Sequence, residues 1–522
     1  MPKVEGPLFS ADAFGDLGEL LNFHRRPGGH AVGVSHRPGS RVASHAVPTI
    51  SQEIIRAYVG QAVDQWQTLT EEEKQLWRDF VSGDYVPEIG VVVEQLIVGG
   101  KNVNLSNAAT RYNVLAGGSD WVGTLNYVGG VVSAPGILKK LAFKLNGSPG
   151  SGKSYTFALM VNGVAQALSV QISGSATTGM DTTNEIPVAA GDFVCLRCVP
   201  SGTPTSRVAV WSIVFKGSNI KESLILGLGY TSKTAIKFVP LSFGHVYYTD
   251  TEPESYQVIP TPGKIKNLCV SLYNFLSVAP DAYRFILRVN GANSDDGEGN
   301  PLQVTIVAPG LIGSDVVHQI PVVAGDRVCL MCEPLETPAV YPVIRWGLTF
   351  VADNEGESLI LGQSSDPPTL GSTEYNILAS CDRDYLWAGT ESVRVQGGQA
   401  GFTLKKFYAW VSAVLAGTYA LKVRCNATNT GIGVTIPVGA QSESDTTNSK
   451  ALSDYDYLAL SCLAYTTSAH LHWGLVCLGP VPAAGFLPRK MAVDGYRCFV
   501  EQYVKNMHLG ASPWKLPDGI RW

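Results

Sequence analysis

The hydrophobic pattern divides the chain into a long middle of short alternating runs and two ends with a different rhythm. Between residues 87 and 482, apolar and polar side chains alternate over a few positions at a time, with Gly, Pro, Asn and Asp between the runs. That is the pattern of half-buried β-strands joined by turns. Laid against itself, the middle shows the same landmarks three times in the same order, the mark of a repeated structural unit of roughly 130 residues.

Each repeat opens on an apolar run behind an acidic residue: Glu94-Gln95-Leu96-Ile97-Val98-Gly99, Glu222-Ser223-Leu224-Ile225-Leu226-Gly227 and Glu357-Ser358-Leu359-Ile360-Leu361-Gly362. A basic-apolar alternation follows, centred on Lys139-Lys140, Lys266-Asn267 and Lys405-Lys406. Next come alternating strands led by Tyr155, Tyr283 and Tyr419, which end at Asn162-Gly163, Asn290-Gly291 and, less regularly, Asn426. Asn and Gly tolerate the positive φ of a tight primed turn, so a hairpin is expected there. Gly191-Asp192 and Gly325-Asp326, with Asp454-Tyr455-Asp456 in the third copy, then open another strand. Trp211, Trp346 and Trp473 head the closing strands, where a ring can be buried while its N–H still finds an acceptor.

These landmarks predict a mainly β chain with three tandem antiparallel β-sandwich, jelly-roll-like modules at residues 87–220, 221–355 and 356–482. The three Trp and the three Tyr are the expected repeat core.

Helical periodicity is confined to the ends. Ile54, Ile55, Tyr58, Val59, Ala62, Val63 and Trp66 share one face, and Thr70-Glu71-Glu72-Glu73 reads as a capping box ahead of Leu76, Trp77 and Phe80. A third helix is expected over Gly495 to Asn506, with Tyr496 and Phe499 on its aromatic face. Residues 1–86 and 483–522 are therefore expected to form one small α-helical anchor, with the sandwiches inserted between its halves.

Composition adds limits. The chain has 522 residues, 16% of them charged, and a net charge of −5, so its electrostatics gives no general reason to expect nucleic-acid binding. The stretch from Asn22 to Pro48 carries Arg25, Arg26, Arg37 and Arg41, four histidines and no acid, and reads as a basic arm that docks on an acidic protein surface or contacts packaged DNA, the protein surface being favoured because the rest of the chain is slightly acidic. No secretory leader and no membrane-spanning run are read from the sequence, so synthesis in a cytoplasm, reduced thiols and no membrane insertion are expected.

Two motifs mimic active sites. Gly147-Ser148-Pro149-Gly150-Ser151-Gly152-Lys153-Ser154 fits the phosphate-loop formula, but a strand rather than a helix is expected after it, which removes the helix N-terminus that phosphate needs. Cys195/Cys198 and Cys329/Cys332 have zinc half-site spacing. Residues three apart on a strand face opposite ways, so buried core thiols are expected and neither a metal nor a cofactor is assigned. Asp295-Asp296 reads as a solvated turn.

The segments Pro7-Leu8-Phe9-Ser10, Phe14-Gly15-Asp16-Leu17-Gly18, Phe23-His24-Arg25-Arg26-Pro27-Gly28-Gly29, Trp66 to Lys74 and Gly495 to Val500 together resemble small virion-associated proteins of tailed bacteriophages. The resemblance covers about residues 7–80 and 488–506, and the long insertion departs from the family pattern. It implies a non-enzymatic virion component at the tail, neck or capsid surface. Other virion proteins, and further copies of the chain within the particle, would be its partners, with Arg25, Arg26, Arg37, Arg41, Trp66, Trp77, Tyr496 and Phe499 docking. The alternatives are a binder of a host-surface glycan or protein receptor through the sandwich loops, and a depolymerase, for which no acid/base constellation is visible.

Overall fold

A computed structural model describes residues 15–17, 21–25, 32–35 and 94–480, the last range apart from 219–220, 243–247, 276, 365 and 381–386. The chain divides into two units, Met1–Gly90 and Val91–Trp522. In the first, strands Gly15–Leu17, Leu21–Arg25 and Val32–Ser35 form an antiparallel meander. The helices expected at both ends lie outside the described residues.

In the second unit the described residues are mainly antiparallel strands, and each repeat contributes two sheets. One sheet has the same strand order three times. From one edge to the other run an outer strand (Thr178–Val188, Ile312–Val322, Ser442–Ala451), a basic strand (Gly136–Leu145, Gly263–Tyr273, Thr403–Val411), the closing Trp strand (Val208–Gly217, Val343–Ala352, Leu471–Leu478) and the opening strand (Glu94–Asn104, Glu222–Tyr230, Glu357–Ser364). The facing sheet is built around the Tyr strand (Gly150–Val161, Ala282–Val289, Tyr419–Cys425) paired with the strand after the Gly-Asp turn (Phe193–Ser201, Arg327–Leu335, Tyr457–Ala464).

The landmarks are repeated because they touch one another. Trp211, Trp346 and Trp473 are buried and each Nε1 donates to a backbone oxygen, that of Leu115, Leu241 or Leu378, at 2.7 Å. Opposite them in register stand Gly99, Gly227 and Gly362. A Cβ there would lie 2.1, 2.0 and 2.2 Å from the indole, so the glycine that ends each opening run is the space the Trp ring fills.

The hairpin turns are locked from behind. Asn162, Asn290 and Asn426 take φ of 49°, 51° and 51°, and each side-chain amide donates to the Asp of the Gly-Asp turn (Asp192, Asp326, Asp456) at 2.7 Å. The same Asn accepts from the next backbone N–H, that of Phe193, Arg327 or Tyr457. Tyr455 holds φ of +64° where the other copies place glycine.

The acidic and basic landmarks are partners as well. Glu94 pairs with Lys139 at 2.6 Å, Glu222 with Lys266 at 2.8 Å, and Glu357 with Lys405 and Lys406 at 2.8 and 2.7 Å. Burial pushes the Glu94 and Glu357 carboxyls up, but their lysines outweigh it and hold both below the usual carboxylate range.

Candidate functional site: the joints between the sandwiches

Each opening strand lies at a sheet edge, yet its apolar run is buried on both faces. Ile97, Ile225 and Ile360 point into their own cores, while their neighbours enter the core of another repeat. Leu96 and Val98 join the third core, Leu224 and Leu226 the first, and Leu359 and Leu361 the second. The sandwiches therefore share their cores in a closed cycle rather than standing as separate beads. Where the three strands meet there is a cavity of about 40 Å³, bordered by Leu96, Leu224 and Leu359. Ligand sites start at about 300 Å³, so it is far too small for a substrate.

Each joint also has a knob and a socket. The knob is a short strand, Gly130–Val131, Gln257–Val258 or Gln396–Gly397, paired beside Phe193, Arg327 or Tyr457. The socket is a cross-strand pair on the next repeat: Arg345 with Ser271, His472 with Trp410, and Val210 with Lys144. The knob of the first repeat seats on the second, that of the second on the third, and that of the third on the first.

All three joints place a cation over an aromatic ring, with different residues each time. In the first, Arg345 lies 4.5 Å from the Phe193 centroid and 5.5 Å from that of Tyr273, and donates to the Asn126 carbonyl. In the third, Lys144 lies 3.6 Å from the Tyr457 ring and donates to the Tyr455 carbonyl at 2.9 Å. The middle joint is inverted: Arg327 on the knob lies 5.2 Å from the Trp410 ring of the socket. Burial pushes the Arg345 guanidinium down to about 10. It also pushes His472 down to about 3, so this ring is neutral and its Nδ1–H donates to the Tyr256 carbonyl at 2.6 Å.

The residues singled out in the sequence fall as follows. Tyr155, Tyr283 and Tyr419 are buried, and their hydroxyls donate to the carbonyls of Thr205, Val340 and Thr467 at 3.2, 2.8 and 2.5 Å. Arg25 ends the strand Leu21–Arg25, whereas Arg26, Arg37, Arg41, Trp66, Trp77, Tyr496 and Phe499 lie outside the described residues. The phosphate-loop look-alike runs into the strand Gly150–Val161 and meets no helix. Cys195 and Cys198 lie in different apolar clusters, on opposite faces of their strand, and burial raises both thiols, Cys195 to about 12. Among the described residues no group of three or more His, Cys, Asp or Glu could hold a metal, and no helix is long and apolar enough to cross a membrane.

One further feature escaped the sequence reading. Asp181-Thr182-Thr183-Asn184, Asp315-Val316-Val317-His318 and Asp445-Thr446-Thr447-Asn448 form the same bulge in each outer strand. The Asp carboxylate accepts the backbone N–H of Ser169, Gln303 or Gly433 from the neighbouring sheet at about 3 Å. The second copy replaces two threonines by Val316 and Val317, which are 63% and 75% exposed.

The described part of the chain is thus a mainly β protein of antiparallel, sandwich-like sheets. Neither a protein-family model nor a curated protein sequence matches it. Among solved structures, PNGF-II aligns with 66% of this chain and 98% of its own, at 7% identity and a TM-score of 0.16. A chain of the Sulfolobus turreted icosahedral virus structure aligns over 66% and 80%, at 11% identity and a TM-score of 0.14. Likenesses this slight carry no argument about function.

Proposed function

We propose that the chain is a non-enzymatic structural component of a tailed-phage virion, made in the host cytoplasm and docked through its terminal segments, with three jelly-roll-like sandwiches presented as one closed block. The observation that carries this reading is where the chain enters and leaves the block. Gly479 packs so closely on Glu94 that a Cβ on it would lie 2.0 Å from the Glu94 carbonyl oxygen, and its N–H donates to Gly356 at 2.8 Å. A block whose two ends are neighbours can be inserted into one loop of a small host module without distorting it. The phage-like segments on either side, about 7–80 and 488–506, would be that module. The test is to purify particles and assay them for the chain; recovery only from the lysate, with none in particles, refutes the proposal.

A second reading is a host-surface glycan or receptor binder. It is favoured by a tyrosine group beside the first joint, where Tyr127 packs edge-on against Tyr273 at 5.9 Å and Tyr127 and Tyr341 are 40% and 60% exposed. Exposed rings of this kind stack on sugar faces. Loss of glycan-array signal on Tyr127→Ala and Tyr341→Ala would support it, and an array blank for the intact chain would exclude glycans.

A further inference from the structure

The three joints occupy equivalent positions, but their residues differ in ways that compensate across each contact. The first compensation is steric. Gly347 and Gly474 follow the Trp of the second and third repeats, and a Cβ on them would lie 1.9 and 1.8 Å from the carbonyl oxygens of Val131 and Val258. The knob carbonyl therefore sits where a side chain would begin. The first repeat has Ser212 at that position, and the knob it receives carries Gly397 where the others carry valine. A Cβ on Gly397 would be 2.7 Å from the Trp211 carbonyl oxygen. The glycine has moved from socket to knob.

The second compensation is electrostatic. Phe193 and Tyr457 meet cationic sockets, whereas Arg327 meets the aromatic socket of Trp410 and neutral His472.

From these two exchanges we infer that the joints form a pairing code, in which each repeat fits its neighbour in the cycle and is faulted against its own socket. In a self-pair of the first repeat, the Val131 carbonyl would collide with the Ser212 side chain. A self-pair of the second would set Arg327 against Arg345, two cations in a desolvated contact where like-charge juxtaposition costs several kcal/mol. A self-pair of the third would put Gly397 against Gly474, leaving a hole, and Tyr457 against Trp410 with no cation. The partner each surface fits is therefore a different repeat, and the reverse order is faulted too, because it would set the Val258 carbonyl against Ser212 and Arg327 against Lys144. The block closes within a single chain in one order, and repeats of separate chains do not form homotypic rings. Specificity here rests on faults built against the wrong partners as much as on contacts with the right one.

The test is a pair of double-mutant cycles in the full-length chain, read by the unfolding midpoint and by mass in solution. Trp410→Lys aims an ammonium at Arg327 and should lower the midpoint by several degrees. Adding Arg327→Tyr rebuilds the cation–ring contact of the third joint and should restore most of the loss. Likewise Gly397→Val should destabilise, and Ser212→Gly/Gly397→Val, which copies the glycine placement of the other joints, should recover. The wild-type chain should run at monomer mass. If either double variant falls by the sum of its singles, that compensation is not part of a code. If Trp410→Lys alone fails to fold, folding of the double variant is the expected result and its failure the refuting one. A wild-type trimer that exchanges repeats between labelled chains would also overturn the inference.

Discussion

Replacing Gly227 by Ala tests the link between the opening run and the closing Trp. The new methyl would sit 2.0 Å from Trp346 Cε2, 2.2 Å from Nε1 and 2.3 Å from Cζ2, whereas carbon atoms rest about 3.5–4.0 Å apart. The ring must therefore move by more than an ångström in a core where Trp346 is fully buried. Such a shift breaks the 2.7 Å bond from its Nε1 to the Leu241 carbonyl. Overpacking costs about 1–3 kcal/mol and an orphaned buried donor about 1–3 kcal/mol more, so the loss is on the order of 2–6 kcal/mol. Chemical denaturation of the full chain, followed by tryptophan emission, measures it. Gly389→Ala is the control, because Gly389 has no positive φ and nothing within 4 Å of its Cβ position; it should change stability by less than about 0.5 kcal/mol. Combining Gly227→Ala with Trp346→Phe should cost clearly less than the two singles together. A Gly227→Ala chain as stable as the control, or strict additivity with Trp346→Phe, would refute the reasoning.

The other predictions concern two buried polar groups and one exposed apolar pair. Burial opposes the charge on Asp445, but hydrogen bonds from Asn448, Gly433 and Thr447 prevail and bring its pKa down to about 2. Its stabilisation is present above about pH 3.8 and is lost as pH falls toward 2; Asp445→Asn should therefore cost about 1–3 kcal/mol at neutral pH and far less near pH 2, as urea melts at both pH values will show. Buried His472 favours its neutral form, so its contribution is complete above the ordinary His value of about 6.5 and declines as pH falls toward 3. His472→Gln, which can still donate to the Tyr256 carbonyl, should flatten the stability profile between pH 6.5 and 4, and an unchanged slope would exclude His472 as its source. Val316→Thr/Val317→Thr gives the second repeat the Thr-Thr of the other two. It should leave stability within about 0.5 kcal/mol while shortening retention on a hydrophobic-interaction column, and unchanged retention would count against a solvent-facing pair.

Local chemistry made much of this fold legible in the sequence. Alternation gave the strands, Asn162-Gly163 and Asn290-Gly291 gave positive-φ turns, and the repeated Trp gave a buried ring with a polar edge. What stayed hidden depends on pairings far apart in the chain. Gly99 is explained through Trp211, Glu94 through Lys139 and Lys140, and Asn162 through Asp192 and Phe193. Each landmark was visible, but which ones meet is a matter of register. The bulge motif was masked because its second copy substitutes Val316, Val317 and His318, so identity fails where the Asp315 geometry persists. The joints left one readable trace: Leu96-Ile97-Val98 is apolar on both faces, whereas an edge strand with one face in water would alternate.

That double-sided burial bears on why the repeats share one chain. Covalent linkage holds neighbouring repeats at a high effective concentration, so a joint need not be strong enough to recruit a free partner. It needs to be distinct enough to exclude the wrong one. The centre of the block shows the same division of labour. Gln95 of the first repeat exchanges two 2.7 Å hydrogen bonds with the Leu224 backbone of the second. Its counterparts Ser223 and Ser358 bond instead to the closing strands of their own repeats, at Phe350 and Cys477. Because this bridge reaches only backbone atoms, which every repeat offers, it ties two opening strands together without selecting between repeats. The apolar contacts between opening strands are nearly the same three times and hold the block together, while the order of the repeats is carried by the few positions where the copies differ.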